Sequence, residues 1–118
     1  MQDFRKLAIY NRSVEYCASV YKFSTLLPAS ERYGLISQIQ RAACSVPLNI
    51  SEGAGSSSNK EFSKFVGYAY RSVNEVMTCL ELVEKLDLYR NAAVSESLKL
   101  DSTELSRMIY AFLKKLGG

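Results

Sequence analysis

Residues 58–87 read SNKEFSKFVGYAYRSVNEVMTCLELVEKLD, and their periodicity decides the fold. Phe62, Val66, Ala69, Val73, Val76, Leu80 and Val83 recur at alternating intervals of four and three, the stripe that one face of an α-helix presents to a core. Ser58 followed three residues later by Glu61 has the form of a capping box, in which the serine oxygen and the glutamate take up amides left free at a helix start. The spacing predicts a helix over residues 59–87, about 42 Å long at ~1.5 Å per residue. Lys64, Gly67, Arg71, Asn74, Thr78, Glu81 and Lys85 repeat at the same intervals and define the strip expected to face water.

Outward from this segment the chain divides into three more helical stretches. The run Gly53-Ala54-Gly55-Ser56-Ser57-Ser58 is the one clear loop. Before it, residues 30–54 read as a helix capped by Ser30, with Leu35, Ile39, Ala42 and Val46 as its seam and Ile36, Ala43 and Ile50 widening it. Pro47 lies inside that period; its ring removes a donor and crowds the Ala43 carbonyl, so a kink is expected there, not a stop. In residues 5–26 the seam is Leu7, Tyr10, Val14, Cys17 and Tyr21, ended ahead of Pro28. In residues 91–116 Asn91 is the cap and Val94, Leu98, Leu105, Met108, Ile109, Phe112 and Leu116 face inward; Asp101 interrupts this seam and predicts a break near Leu100. Nothing in the chain alternates like a strand. The fold class is therefore all-α, one domain over residues 1–118, with four helices joined by short connections in an antiparallel up-down four-helix bundle.

Composition narrows the chemistry. The 118 residues are 47% hydrophobic and 23% charged, enough for one core and not two. Fifteen Lys+Arg against twelve Asp+Glu give +3, too modest to identify a nucleic-acid protein by charge alone. The chain has no His, which excludes Ser-His-Asp and Cys-His catalysis, Cys₂His₂ zinc sites and Glu-x-x-His di-metal sites. No enzyme activity, cofactor or metal is expected. Cys17, Cys44 and Cys79 form no C-x-x-C pair and sit in apolar-periodic stretches, reading as buried thiols of a reducing compartment. The start MQDFRKL lacks an apolar core after its charges, and no run approaches the ~18 apolar residues a membrane span needs. A cytoplasmic protein without a membrane partner is the expectation.

Four constellations stand out. Beside its core seam the first helix carries a second apolar series, Ile9, Tyr16, Val20, Phe23 and Leu27, which reads as an oligomer interface or, alternatively, as a wide core stripe. The second helix carries a polar ladder, Gln38, Arg41, Ser45, Asn49 and Glu52, with Ser72 and Glu75 available opposite it. An Arg41 pair with Glu75 or Glu52 would fix helix register; the other reading is a ligand-facing groove. Arg5, Arg12, Lys64, Arg71, Lys114 and Lys115 are the candidate phosphate contacts, against the plain reading of a solvated basic face. The glycine-serine loop precedes a helix start and so could hold an anion, but it lacks the phosphate-loop spacing and reads first as a turn.

The run Leu27-Pro28-Ala29-Ser30-Glu31-Arg32-Tyr33-Gly34-Leu35, followed by Gln38, Arg41-Ala42, Ser45-Val46-Pro47, Asn49-Ile50-Ser51-Glu52-Gly53 and Lys60-Glu61-Phe62, resembles the 23S rRNA intervening-sequence protein family. The resemblance covers nearly the whole chain. It implies a four-helix bundle that assembles as a homopentamer, encoded within insertions in large-subunit rRNA genes, with RNA or DNA as the suspected ligand. Five copies would multiply the +3 around a ring. Ser56 stands where family members commonly carry an arginine, Arg71-Ser72 where glycine-serine is common, and Tyr10 where tryptophan is frequent. The expected function is a non-enzymatic homo-oligomer that binds RNA or DNA through basic outer faces. The alternative is a protein-interaction adaptor similar to the accessory bundle proteins of diversity-generating retroelements, with a protein as partner.

Overall fold

In the computed structural model, which describes residues 3–117, the long periodic segment is a helix over Asn59–Lys85, preceded and followed by three others. In chain order the helices are α1 (Ala8–Ser24), α2 (Leu35–Ala54), α3 (Asn59–Lys85) and α4 (Ala92–Lys115). Short 3-10 turns at Phe4–Lys6 and Ala29–Glu31 precede α1 and α2, and no strand occurs among the described residues. Among the described residues no helix is long and apolar enough to cross a membrane.

α3 forms as its sequence dictates. Ser58 Oγ accepts from the Glu61 amide at 3.1 Å, and every residue of the Phe62-to-Val83 seam is buried. The helix stops at Lys85, where Asp87 takes a left-handed φ of 55° and the Leu88 amide donates back to the Val83 carbonyl at 3.0 Å. Asn91 caps α4 by accepting from the Ala93 amide at 3.2 Å. α3 packs against α2 and α4, and α1 closes the arrangement by packing against the same two helices. Val20, Ile39, Val46, Ile50, Val66, Val73, Leu105 and Ile109 fill the space between the four.

Three expectations are corrected. On and just after α1 the second apolar series, Ile9, Tyr16, Val20, Phe23 and Leu27, read as an oligomer interface or a wide core stripe, is buried inside the subunit, whereas of the expected core seam Leu7, Tyr10 and Cys17 are half-buried against the core and Val14 and Tyr21 are over 40% exposed. Hydrogen bonding permits this burial. Ser13, between Ile9 and Tyr16 on the same face, fits the core because its hydroxyl donates to the Tyr10 carbonyl at 2.8 Å. The Tyr16 hydroxyl is satisfied by Ser102 at 2.6 Å, so neither polar atom forbids burial. Second, α2 begins at Leu35 and not near residue 30. Ser30 lies in the preceding 3-10 turn, and the Glu31 carboxylate, not a serine, accepts the Leu35 amide at 3.2 Å. Third, α4 runs unbroken through Leu100, because small Ser102 occupies the core while Asp101 turns aside toward Arg12 at 3.7 Å. α2 also continues through Pro47 to Ala54.

Candidate nucleic-acid interface

The outer side of α3 and the adjoining C-terminal half of α4 bring together basic and aromatic groups. Lys64, Gly67 and Arg71 occupy one strip of α3. The Lys64 ammonium sits 5.4 Å from the centre of the Phe65 ring, and the Arg71 guanidinium 6.0 Å from that of Tyr68. On α4 the Lys114 ammonium lies 5.6 Å from the Tyr110 ring centre. Tyr110 in turn meets Tyr70 of α3, with centroids 6.1 Å apart. Between the two helices Tyr70, Ser106, Arg107, Tyr110 and Ala111 line an open cleft of about 390 Å³. Lys64 has a partner in Glu61 at 3.6 Å; Arg71, Arg107 and Lys114 make no ion pair among the described residues. Arg71 and Lys114 keep their charge available while lying against aromatic rings.

The other basic residues divide. Lys115 is exposed in the last turn of α4. Arg12 is committed to structure: it holds Glu104 at 2.9 Å and Asp101 at 3.7 Å and so ties α1 to α4. Arg5 pairs with Asp3 at 3.3 Å and covers Phe4 ahead of α1. Lys64 and Arg71 thus lie along the outer strip of α3 and Lys114 in the last turn of α4, and Arg5 and Arg12 do not join them. Sequence reasoning missed Arg107, Tyr70 and Tyr110. Arg107, Tyr110 and Lys114 follow intervals of three and four on α4, a signal masked by the apolar seam running beside it.

Two members of the polar ladder, Gln38 and Ser45, bond across to α3, and Arg41 does not. Gln38 Nε2 donates to Glu75 Oε2 at 3.2 Å, the Ser45 and Ser72 hydroxyls bond to each other, and Asn49 Nδ2 donates to the Ser45 carbonyl at 2.8 Å. Arg41 is exposed and pairs with neither Glu75 nor Glu52; the shorter amide of Gln38 takes the place expected for its guanidinium. Glu52 instead lines a surface hollow with Ser56, Ser57, Ser58 and Glu61, where two carboxylates disfavour an anion.

The thiols are poorly suited to nucleophilic work. Burial, then the bond to Cys44, pushes the Cys17 thiol up to about 12, and burial also raises Cys79. Cys17 Sγ lies 3.7 Å from Cys44 Sγ at the α1–α2 seam. Val14 and Tyr21 on α1 and Leu48 on α2, one turn from Cys44, leave an apolar strip facing outward over that seam.

The family model described as 23S rRNA-intervening sequence protein matches residues 5–111, spanning the four helices apart from the final turn of α4. The chain belongs to this family. A solved relative is a protein of unknown function from the S23 ribosomal protein family of Bacteroides thetaiotaomicron VPI-5482. It superposes with a TM-score of 0.82 at 23% identity over 91% of this chain and 99% of its own, a likeness of fold. No curated protein matches the chain. Within the 23S rRNA-intervening sequence family, Arg71 on this member's α3 is one of the cations resting on a ring.

Proposed function

We propose that this protein is a non-enzymatic, cytoplasmic four-helix bundle that binds RNA or DNA through the basic and aromatic outer side of α3 and α4. The observation that carries the reading is the set of three outward cations, Lys64, Arg71 and Lys114, each laid against an aromatic ring on neighbouring helices. Such groups supply phosphate attraction and a flat apolar surface together. The absence of His from the sequence and the raised Cys17 thiol favour binding over catalysis. An antiparallel up-down course is supported by the pairing of contacts: Ser24 with Gln40 and Cys17 with Cys44, Gln38 with Glu75 and Ser45 with Ser72, Glu84 with Lys99 and Tyr70 with Tyr110, Arg12 with Glu104 and Tyr16 with Ser102. Fluorescence anisotropy with labelled RNA and DNA tests the reading: Arg71→Ala and Lys114→Ala weaken binding severalfold each, and equal affinity of both variants with the parent contradicts it.

The same bundle associates with copies of itself, a pentamer being the assembly that the family resemblance implies. The supporting observation is the outward apolar strip of Val14, Tyr21 and Leu48, the last 65% exposed. Five copies carrying +3 each would strengthen attraction to a polyanion. A protein adaptor role would use the same strip for a different partner, and a pull-down that survives nuclease treatment distinguishes it.

A further inference from the structure

Gly67 stands in the middle of the longest helix, where glycine weakens the structure by its freedom in the unfolded chain. Packing within the subunit does not ask for it: a Cβ built there meets nothing within 4 Å. The contrast is Gly53, where a Cβ would lie 2.9 Å from atoms of both Phe62 and Phe65. Exposed tyrosines stand on both flanks of the Gly67 strip, Tyr68 toward α2 and Tyr110 on α4. Tyr68 lies to one side of it, Tyr70 with Tyr110 to the other, and Arg71 and Lys114 rest on two of these rings. A bare patch of helix backbone between ring faces, rimmed by cations with no carboxylate partner, suits a planar group carried on an anionic chain.

We infer that this patch is a stacking platform for unpaired bases, so that the nucleic acid this protein takes is single-stranded, with Tyr68 and Tyr110 as stacking residues and Gly67 admitting the sugar-phosphate chain close to α3. This rests on the proposed nucleic-acid function and narrows it. In a duplex the base faces are already stacked on one another and only their edges and phosphates are accessible, so tyrosine rings would add far less to duplex binding. Arg71, Arg107 and Lys114 then contact phosphates of either form.

The experiment measures anisotropy of fluorescein-labelled 12-nucleotide uridine and thymidine strands and of a 12-base-pair duplex at low salt, with thermal melts of every variant. The single strands bind more tightly than the duplex. Tyr68→Ala and Tyr110→Ala each weaken single-strand binding by about tenfold, since stacking contributes on this scale per base, and weaken duplex binding far less. Gly67→Ala gives the sharper reading: the melting temperature rises by a few degrees while single-strand affinity falls. Equal affinity for strand and duplex, with both tyrosine variants and Gly67→Ala binding as the parent does, overturns the inference and leaves the nucleic-acid reading standing. Failure to bind either form at low salt overturns that reading itself.

Discussion

The Tyr16 hydroxyl and Ser102 Oγ lie 2.6 Å apart where α1 meets α4, and Ser102 also donates to the Leu98 carbonyl at 2.8 Å. Tyr16→Phe removes one buried hydrogen bond and is expected to cost about 1 kcal/mol in urea denaturation. Burial raises the Tyr16 hydroxyl above its ordinary value of 10.0 and raises Cys17 and Cys79 above their ordinary 9.0. Because the folded values are the higher ones, the folded state favours the neutral groups. Their contribution is complete below pH 9 and is lost as pH rises, first when the unfolded thiols ionise and then, above pH 10, when unfolded Tyr16 does. Stability measured between pH 8 and 11 should therefore fall, and more gently above pH 10 in Tyr16→Phe; a flat profile contradicts the burial of these groups. The same residue shows where sequence reading loses information. A tyrosine advertises both a ring and a hydroxyl, and only the position of Ser102, 86 residues away, decides that the hydroxyl can go inside.

Two glycines measure how closely the helices approach. At Gly53, near the end of α2, a methyl group would press on Phe62 and Phe65 and lie 3.2 Å from the Phe62 carbonyl oxygen, which is backbone and cannot rotate away. Gly53→Ala is expected to destabilise by about 1–3 kcal/mol. Gly67→Ala, with open space around it, is expected to stabilise by up to about 1 kcal/mol. Opposite signs in the same denaturation assay support the packing described; a stabilising Gly53→Ala would contradict it. α3 was legible because its apolar seam keeps intervals of four and three without a break from Phe62 to Val83, all of it buried. α1 was not, since two seams offset by two residues, beginning at Leu7 and Ile9, satisfy the same period. The α2 start escaped because its first amide is taken by Glu31 through a turn that helix-cap rules applied to Ser30 do not anticipate.

As a whole the molecule is elongated, 44 × 24 × 20 Å, with its outward apolar strip on the α1–α2 side and its cation-covered rings on the α3–α4 side. The two functions proposed therefore use different surfaces and separate by mutation. Val14→Asp with Leu48→Asp should yield a monomer by light scattering with unchanged helix content; a parent protein that is already monomeric contradicts self-association. Of the candidate phosphate contacts, Lys64, Arg71 and Lys114 were legible as outward positions of periodic helices, whereas the removal of Arg12 into an ion-pair network with α4 was not, because it depends on which helices become neighbours. The proposed binding of nucleic acid through its phosphates by α3 and α4 makes affinity depend on salt. The logarithm of the affinity for a single-stranded oligonucleotide should fall linearly with the logarithm of sodium chloride concentration, with a slope of about −0.7 for each phosphate contacted, and more shallowly in Arg71→Ala. An affinity independent of salt, or no binding at the lowest salt, would contradict the account.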